Sequence, residues 1–143
     1  MTVRDVMTEN AECTRPDATL QDAAARMKAL DVGVLPVCDG DRLVGMLTDR
    51  DITIRSVAAG HDPGRHLVAE AMTRDMFYCF DDQEISDVTR LMKERQIRRV
   101  PVLSRSKRLT GIVSLGDLAL ELNNDSMVGG TLERISEPLQ QRV

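Results

Sequence analysis

The chain has 143 residues, 42% apolar and 29% charged, the composition of an ordinary water-soluble globule with enough apolar material for one shared core. Its 19 basic and 23 acidic side chains leave a net charge of −4, which argues against a nucleic-acid footprint, and the few aromatic rings, Phe77, Tyr78 and Phe80, lie in one stretch and offer no stacking platform for single strands. Residues 1–11 hold no apolar leader and no run is long enough to span a bilayer, so the cytoplasm is the expected compartment; three widely spread cysteines do not make a secreted disulfide framework.

After a Met7-Thr8 punctuation, a short extended piece is expected around Glu12 to Thr14, followed by Pro16 and a helix with an apolar stripe of Leu20, Ala23, Ala24, Met27 and Leu30, capped by Thr19 with Asp22. Val32 to Cys38 reads as a strand whose Pro36 removes a ladder donor, and Asp39-Gly40 as the two-residue turn that returns the chain through Leu43 to Leu47. A helix from Asp51 to about Ala59 spreads Ile52, Ile54, Val57 and Ala58 around more than half its circumference, which one buried face does not require. Gly60 to Gly64 is turn-rich. His61 and His66, five apart around it, read as surface-loop residues because five is not a helical ligand spacing.

The order then repeats. Met76 to Phe80 is extended, a helix carries Ile85, Val88 and Met92, and Ile97 to Leu103 with Arg108 to Val113 forms a hairpin. A helix from about Gly116 to Leu122 again spreads Leu118, Ala119, Leu120 and Leu122 widely. Val3, Asp5, Met7 and Thr8 answer to Val68, Glu70, Met72 and Thr73, and Met27, Pro36 and Val37 to Met92, Pro101 and Val102, all at an offset of 65 residues. Beyond the hairpin the offset becomes 66, because Asp39-Gly40-Asp41 is replaced by the longer Ser104 to Lys107. The chain is an internal duplication of a β-α-β-β-α unit: repeat 1 over 3–59, a linker over 60–67, repeat 2 over 68–123 and a tail over 124–143 whose Gly129-Gly130, Leu132, Ile135 and Pro138 give no readable role. Each repeat is expected to build a small mixed sheet with helices on one face, an α/β fold.

The duplicated chemistry sits where strand runs into helix. Thr48 with Asp51, and Ser114 with Asp117, have the spacing of a capping box. The first amides of such helices are expected to be unpaired, so a phosphate can sit against them beside the hydroxyl, while the carboxylate accepts from the paired hydroxyls of a ribose. The plainer alternative is that the two side chains only satisfy each other's backbone. Arg98 and Arg99 stand where the first half has Gly33 and Val34, so phosphate should be held better by the second set, with Arg50 as a partial offset. No nucleophile–base pair, glycine-rich phosphate loop or HExxH is present, and no enzymatic activity is expected.

The paired Met-Thr openings, Gly33-Val34-Leu35-Pro36-Val37 against Arg98-Arg99-Val100-Pro101-Val102, and the Thr48-Asp49-Arg50-Asp51 and Ser114-Leu115-Gly116-Asp117 turns resemble tandem CBS (cystathionine-β-synthase) domains, the Bateman module, over residues 3 to about 123. Within that group the chain is similar to short stand-alone bacterial CBS-pair proteins, including a hypoxic-response type. The resemblance implies a regulatory, homodimeric module with pseudo-twofold packing that binds AMP, ADP, ATP, NAD or S-adenosylmethionine in clefts between the repeats, signals to an effector protein, and requires no cofactor beyond that regulatory ligand. It places the ribose aspartate on Asp51 and Asp117, the phosphate-side hydroxyl on Thr48 and Ser114, and the adenine-facing segment on Val34, Leu35 and Pro36 and on Arg99, Val100 and Pro101. Neither nucleic acid nor a membrane is an expected partner. The alternative is a ligand-free structural dimer or one responsive to thiol chemistry or zinc. Its seat would be Cys13 and Cys38, which a parallel crossover brings onto adjacent strands, with Cys79 as a separate packed thiol.

Overall fold

The computed structural model of the protein describes residues 1–9 and 11–122, so the tail lies outside the described residues. In chain order the elements are α1 (Val3–Val6), β1 (Thr8–Glu9), α2 (Leu20–Leu30), β2 (Val34–Asp39), β3 (Arg42–Thr48), α3 (Asp49–Asp51) continuing as a π-helix (Ile52–Val57), α4 (Val68–Ala71), β4 (Cys79–Phe80), α5 (Ile85–Arg95), β5 (Arg99–Leu103), β6 (Leu109–Ser114) and α6 (Leu115–Leu122).

These elements gather into two compact units, and the repeats exchange their leading segments in doing so. Residues 11–76 with 107–109 make one, here the Thr48 unit; residues 1–9, 77–106 and 110–122 make the other, the Ser114 unit. The cores show the exchange directly. Val68, Ala71 and Met72 pack with Leu20, Ala23, Met27, Leu35, Val37, Leu47 and Ile52 of the first repeat, whereas Val3 and Val6 pack with Ile85, Val88, Met92, Val100, Val102, Val113 and Leu118 of the second. Each leading helix is a single turn closed by its own acid: Asp5 Oδ2 accepts from the Thr2 amide at 2.8 Å and Glu70 Oε1 from the Leu67 amide at 3.0 Å.

Both units build the same sheet. In the Ser114 unit the order is β4-β5-β6-β1, with β4 parallel to β5 (Cys79 opposite Val102) and β1 antiparallel to β6 (Thr8 opposite Ile112). The Thr48 unit has the antiparallel pair β2-β3, flanked by single bridges, Thr14 parallel to Val37 and Thr73 antiparallel to Met46. Thr14 answers to Cys79 and Thr73 to Thr8 at the repeat offset, so the edges correspond even where pairing is reduced to one residue. The mixed sheets expected from the crossover-plus-hairpin order are therefore present.

Local details differ from expectation in four places. The α2 stripe narrows to Leu20, Ala23 and Met27, with Ala24 and Leu30 on the exposed side; the Thr19 hydroxyl caps the helix by accepting from the Asp22 amide at 3.1 Å. The first hairpin turns on Gly40-Asp41 and not on Asp39-Gly40, because Asp39 still pairs with Arg42; Gly40 takes φ +65, the glycine-favoured first position of a two-residue turn. The helix expected from Asp51 starts at Asp49 and loosens into a π-helix, in which the Ala58 amide reaches Thr53 O at 2.8 Å. His66, expected in a surface loop, is buried. Its Nδ1 shares a 2.9 Å hydrogen bond with the fully buried Ser56 Oγ, its ring stacks on His61 with centroids 4.2 Å apart, and its Nε2 lies 3.7 Å from Glu70, so it ties the linker to the π-helix.

The Met-Thr punctuation has a packing cause. Gly45 on β3 lies against Met72 and Thr73, where an added Cβ would stand 2.7 Å from Met72 Sδ and 3.0 Å from the Thr73 carbonyl oxygen. Gly111 on β6 lies against Met7 and Thr8 in the same way, with the Thr8 carbonyl oxygen at 2.5 Å. Each Met-Thr segment thus lies flat on a glycine of the other repeat. Gly111→Ala has to displace backbone, and is expected to cost about 1–3 kcal/mol as a small-to-large change in a packed site. Urea unfolding of the variant checks this.

Candidate functional site

The two strand-to-helix turns have one geometry. In the Thr48 unit, Thr48 keeps extended backbone while its Oγ1 accepts from the Asp51 amide at 3.0 Å and Asp51 Oδ2 accepts from the Thr48 amide at 2.9 Å. In the Ser114 unit the Asp117 amide donates to Ser114 Oγ at 3.1 Å and the Ser114 amide to Asp117 Oδ2 at 2.8 Å. The plainer reading, mutual capping, accounts for these bonds. It engages only Oδ2 of each carboxylate; Asp51 Oδ1 lies 3.9 Å from Arg55 Nε.

The expectation that the first helical amides are unpaired is corrected for the Thr48 turn. The Asp49 amide donates to Gly33 O at 2.9 Å, the Arg50 amide to Asp49 Oδ1 at 2.8 Å and the Asp51 amide to Thr48. In the Ser114 turn the Leu115 amide likewise donates to Arg98 O at 2.9 Å and the Asp117 amide to Ser114, but residue 115 is a buried leucine with no oxygen to turn back on the Gly116 amide. The difference is compensated across the strand. A Cβ on Gly33 would stand 2.9 Å from Asp49 Oδ2, so glycine faces the aspartate in one unit and Arg98 faces Leu115 in the other. Asp49 and Asp51 therefore bring two carboxylates to the first turn, offset by Arg50 and by Arg55, whose Nε lies 3.9 Å from Asp51 Oδ1. The second has the single carboxylate of Asp117; Arg98, whose carbonyl receives the Leu115 amide, and Arg99 are both exposed. Reading the halves against one another at 49 and 115 was the available signal for Asp49, which the sequence reasoning passed over.

The remaining expected residues divide by side-chain access. Val34 is half-buried and is the cross-strand partner of Thr48, so the segment before Pro36 and the hydroxyl are adjacent. Leu35 and Val100 are 1% and 0% exposed and belong to the cores, so only their backbone is open to a ligand. Pro36 and Pro101 are buried in β2 and β5. Arg55 was also missed: its Nη1 donates to the carbonyls of Ala71 at 2.9 Å and Met72 at 3.1 Å, closing the C-terminal end of α4.

A model of the CBS domain matches residues 3–57 and again residues 68–124. The chain belongs to the CBS domain family. Hypoxic response protein 1 of Mycobacterium tuberculosis is 42% identical over 128 residues, 89% of each chain. The crystal structure of Hypoxic Response Protein I with two coordinated zinc ions matches with a TM-score of 0.77 at 43% identity, covering 85% of this chain and 98% of that one. The structure of CBSX2 in complex with AMP matches with a TM-score of 0.74 at 28% identity, covering 86% and 98%. The fold of this chain is thus that of a CBS pair, and its doubled turns lie inside the two CBS repeats. No described helix is long and apolar enough to cross a membrane.

Proposed function

We propose that this CBS pair is a regulatory sensor of adenosyl nucleotides, of the class AMP, ADP, ATP, NAD or S-adenosylmethionine, and that occupancy changes the surface it offers to an effector protein. It acts by binding and not by catalysis. The observation that carries the reading is the doubled cap: each turn fixes an aspartate by Oδ2, so that Oδ1, which in Asp51 also faces Arg55 Nε at 3.9 Å, can accept from a ribose hydroxyl beside the residues that precede Pro36 and Pro101. The AMP held by CBSX2 supports the ligand class. Phosphate favours the Ser114 turn, where Arg98 and Arg99 supply charge and no second acid intrudes. Calorimetry with a panel of adenosyl compounds tests the proposal; silence across the panel at millimolar concentration would leave the ligand-free reading.

The same reading includes a homodimer. Ile54, Val57 and Leu120 are 51%, 60% and 83% exposed, on the π-helix and on α6, although Ile52 and Leu118 of the same helices are buried. Ile54→Glu is expected to convert a dimer to monomers without loss of the folded units, since its side chain is half exposed and is a member of neither buried cluster. Sedimentation of the wild type as a monomer at micromolar concentration would contradict the dimer.

A further inference from the structure

The Thr48 unit holds a pair of thiols that the CBS reading does not use. Thr14 makes a single parallel bridge to Val37: its amide donates to Pro36 O and its carbonyl accepts from the Cys38 amide, both at 2.9 Å. Cys13 precedes Thr14 and Cys38 follows Val37, so alternation along the two strands puts both side chains on the same face, diagonally across the bridge. Cys13 is near enough across that diagonal to act on the Cys38 thiol, and neither is in a disulfide. The chain at 11–13 belongs to no regular element and is tied to β2 through Thr14, so a shift at Cys13 disturbs little. The other unit offers no counterpart, since Tyr78 and Leu103 stand at the equivalent positions.

From this arrangement we infer that Cys13 and Cys38 form a thiol–disulfide site, oxidised by exchange with a low-molecular-weight disulfide of the glutathione type. The two sulfurs have different roles. Cys38 is 2% exposed and its thiol is pushed up to about 12, first by burial and then by the neighbouring Cys13, so it is the weak nucleophile; Cys13 is partly exposed and attacks first. The Cys13 thiolate displaces one thiolate from the small disulfide, which takes up the proton, and leaves a mixed disulfide on Cys13. Cys38 then gives up its proton, bonds to the Cys13 sulfur and expels the second small thiolate, which takes that proton up. Two protein thiols are oxidised and one small disulfide is reduced to two thiols. A metal site is the weaker use of the pair, because among the described residues no group of three His, Cys, Asp or Glu side chains is arranged to hold an ion. Cys79 stays apart, packed against Pro101 O, its thiol pushed up to about 12 by burial.

The test is thiol counting and intact mass on the full chain, in a buffer of oxidised and reduced glutathione. The expected result is a fall from three free thiols to one, the loss of two hydrogens in mass, and a Cys13–Cys38 link in peptide maps that dithiothreitol reverses. Cys79→Ser should still close the link, and Cys38→Ser should accumulate glutathione on Cys13. Three free thiols in the folded protein, a bridge that includes Cys79, a bridge between chains, or stoichiometric zinc that shields both thiols would each overturn the inference. None of these outcomes depends on nucleotide binding, so the proposed function stands or falls separately.

Discussion

Asp117→Ala is expected to weaken AMP binding by roughly 5- to 150-fold, about 1–3 kcal/mol, because the ribose hydroxyls would be left without an acceptor in a partly buried site. Alanine also removes the acceptor of the Ser114 amide, and a lost cap costs about 0.5–2 kcal/mol of stability. The two effects are separable. Asp117→Asn keeps a side-chain oxygen for the Ser114 amide and replaces the other oxygen with a donor, so it should preserve the melting transition and still lose AMP. Loss of AMP in the alanine variant with full binding in the asparagine variant would reduce Asp117 to a helix cap. Asp51→Asn makes the matching test of the Thr48 turn, with a smaller expected effect on phosphorylated ligands because Asp49 already opposes them there.

Removing Arg98 and Arg99 together, as glutamines, is expected to lower affinity for AMP and ATP by about tenfold and to leave adenosine nearly unchanged, since the guanidinium groups act on phosphate; the low figure reflects exposed side chains screened by solvent. Arg98 is also held by its backbone carbonyl, which receives the Leu115 amide, and that bond survives the substitution. Equal losses for AMP, ATP and adenosine would assign the pair to the scaffold. Titration at low and high salt adds a second readout, because a phosphate contact weakens as salt rises and a backbone contact does not.

Much of the architecture was legible because the same local chemistry occurs twice. The Thr19–Asp22 cap and the Thr48–Asp51 and Ser114–Asp117 boxes depend on residues three apart, and the structure has each of them. The exchange of leading segments was not legible. Met7 and Thr8 rest on Gly111, more than a hundred positions away, and nothing in the local pattern says whether a Met-Thr segment covers the glycine of its own repeat or of the other. Asp39-Gly40 misled for a smaller reason: a glycine in the left-handed region serves either turn position, and the extra pair Asp39–Arg42 decided between them. The burial of His66 was not legible because it flanks a Pro-Gly turn and its partner Ser56 lies on a π-helix that sequence periodicity does not reveal.

At the candidate site, the capping residues were legible and the electrostatics were only half so. Arg98 and Arg99 stood out as charges against Gly33 and Val34. Asp49 did not, because its influence comes from folding back on the Arg50 amide and from the space that Gly33 leaves for it. Leu35 and Val100 were marked by their place in the motif, and the cores take their side chains, leaving only the main chain for a ligand.

The most direct measurement is calorimetric titration of AMP into the wild-type chain and into the Asp51→Asn, Asp117→Asn double variant, with melting curves of both in parallel. The account predicts heat and saturable binding for the wild type, a melting rise of roughly 5–10 °C at about 100 times Kd, and, in a double variant whose own melting transition is unchanged, an affinity lowered by roughly 5- to 150-fold with a correspondingly smaller rise. Equal AMP binding by both proteins, or none by the wild type at millimolar nucleotide, would contradict it.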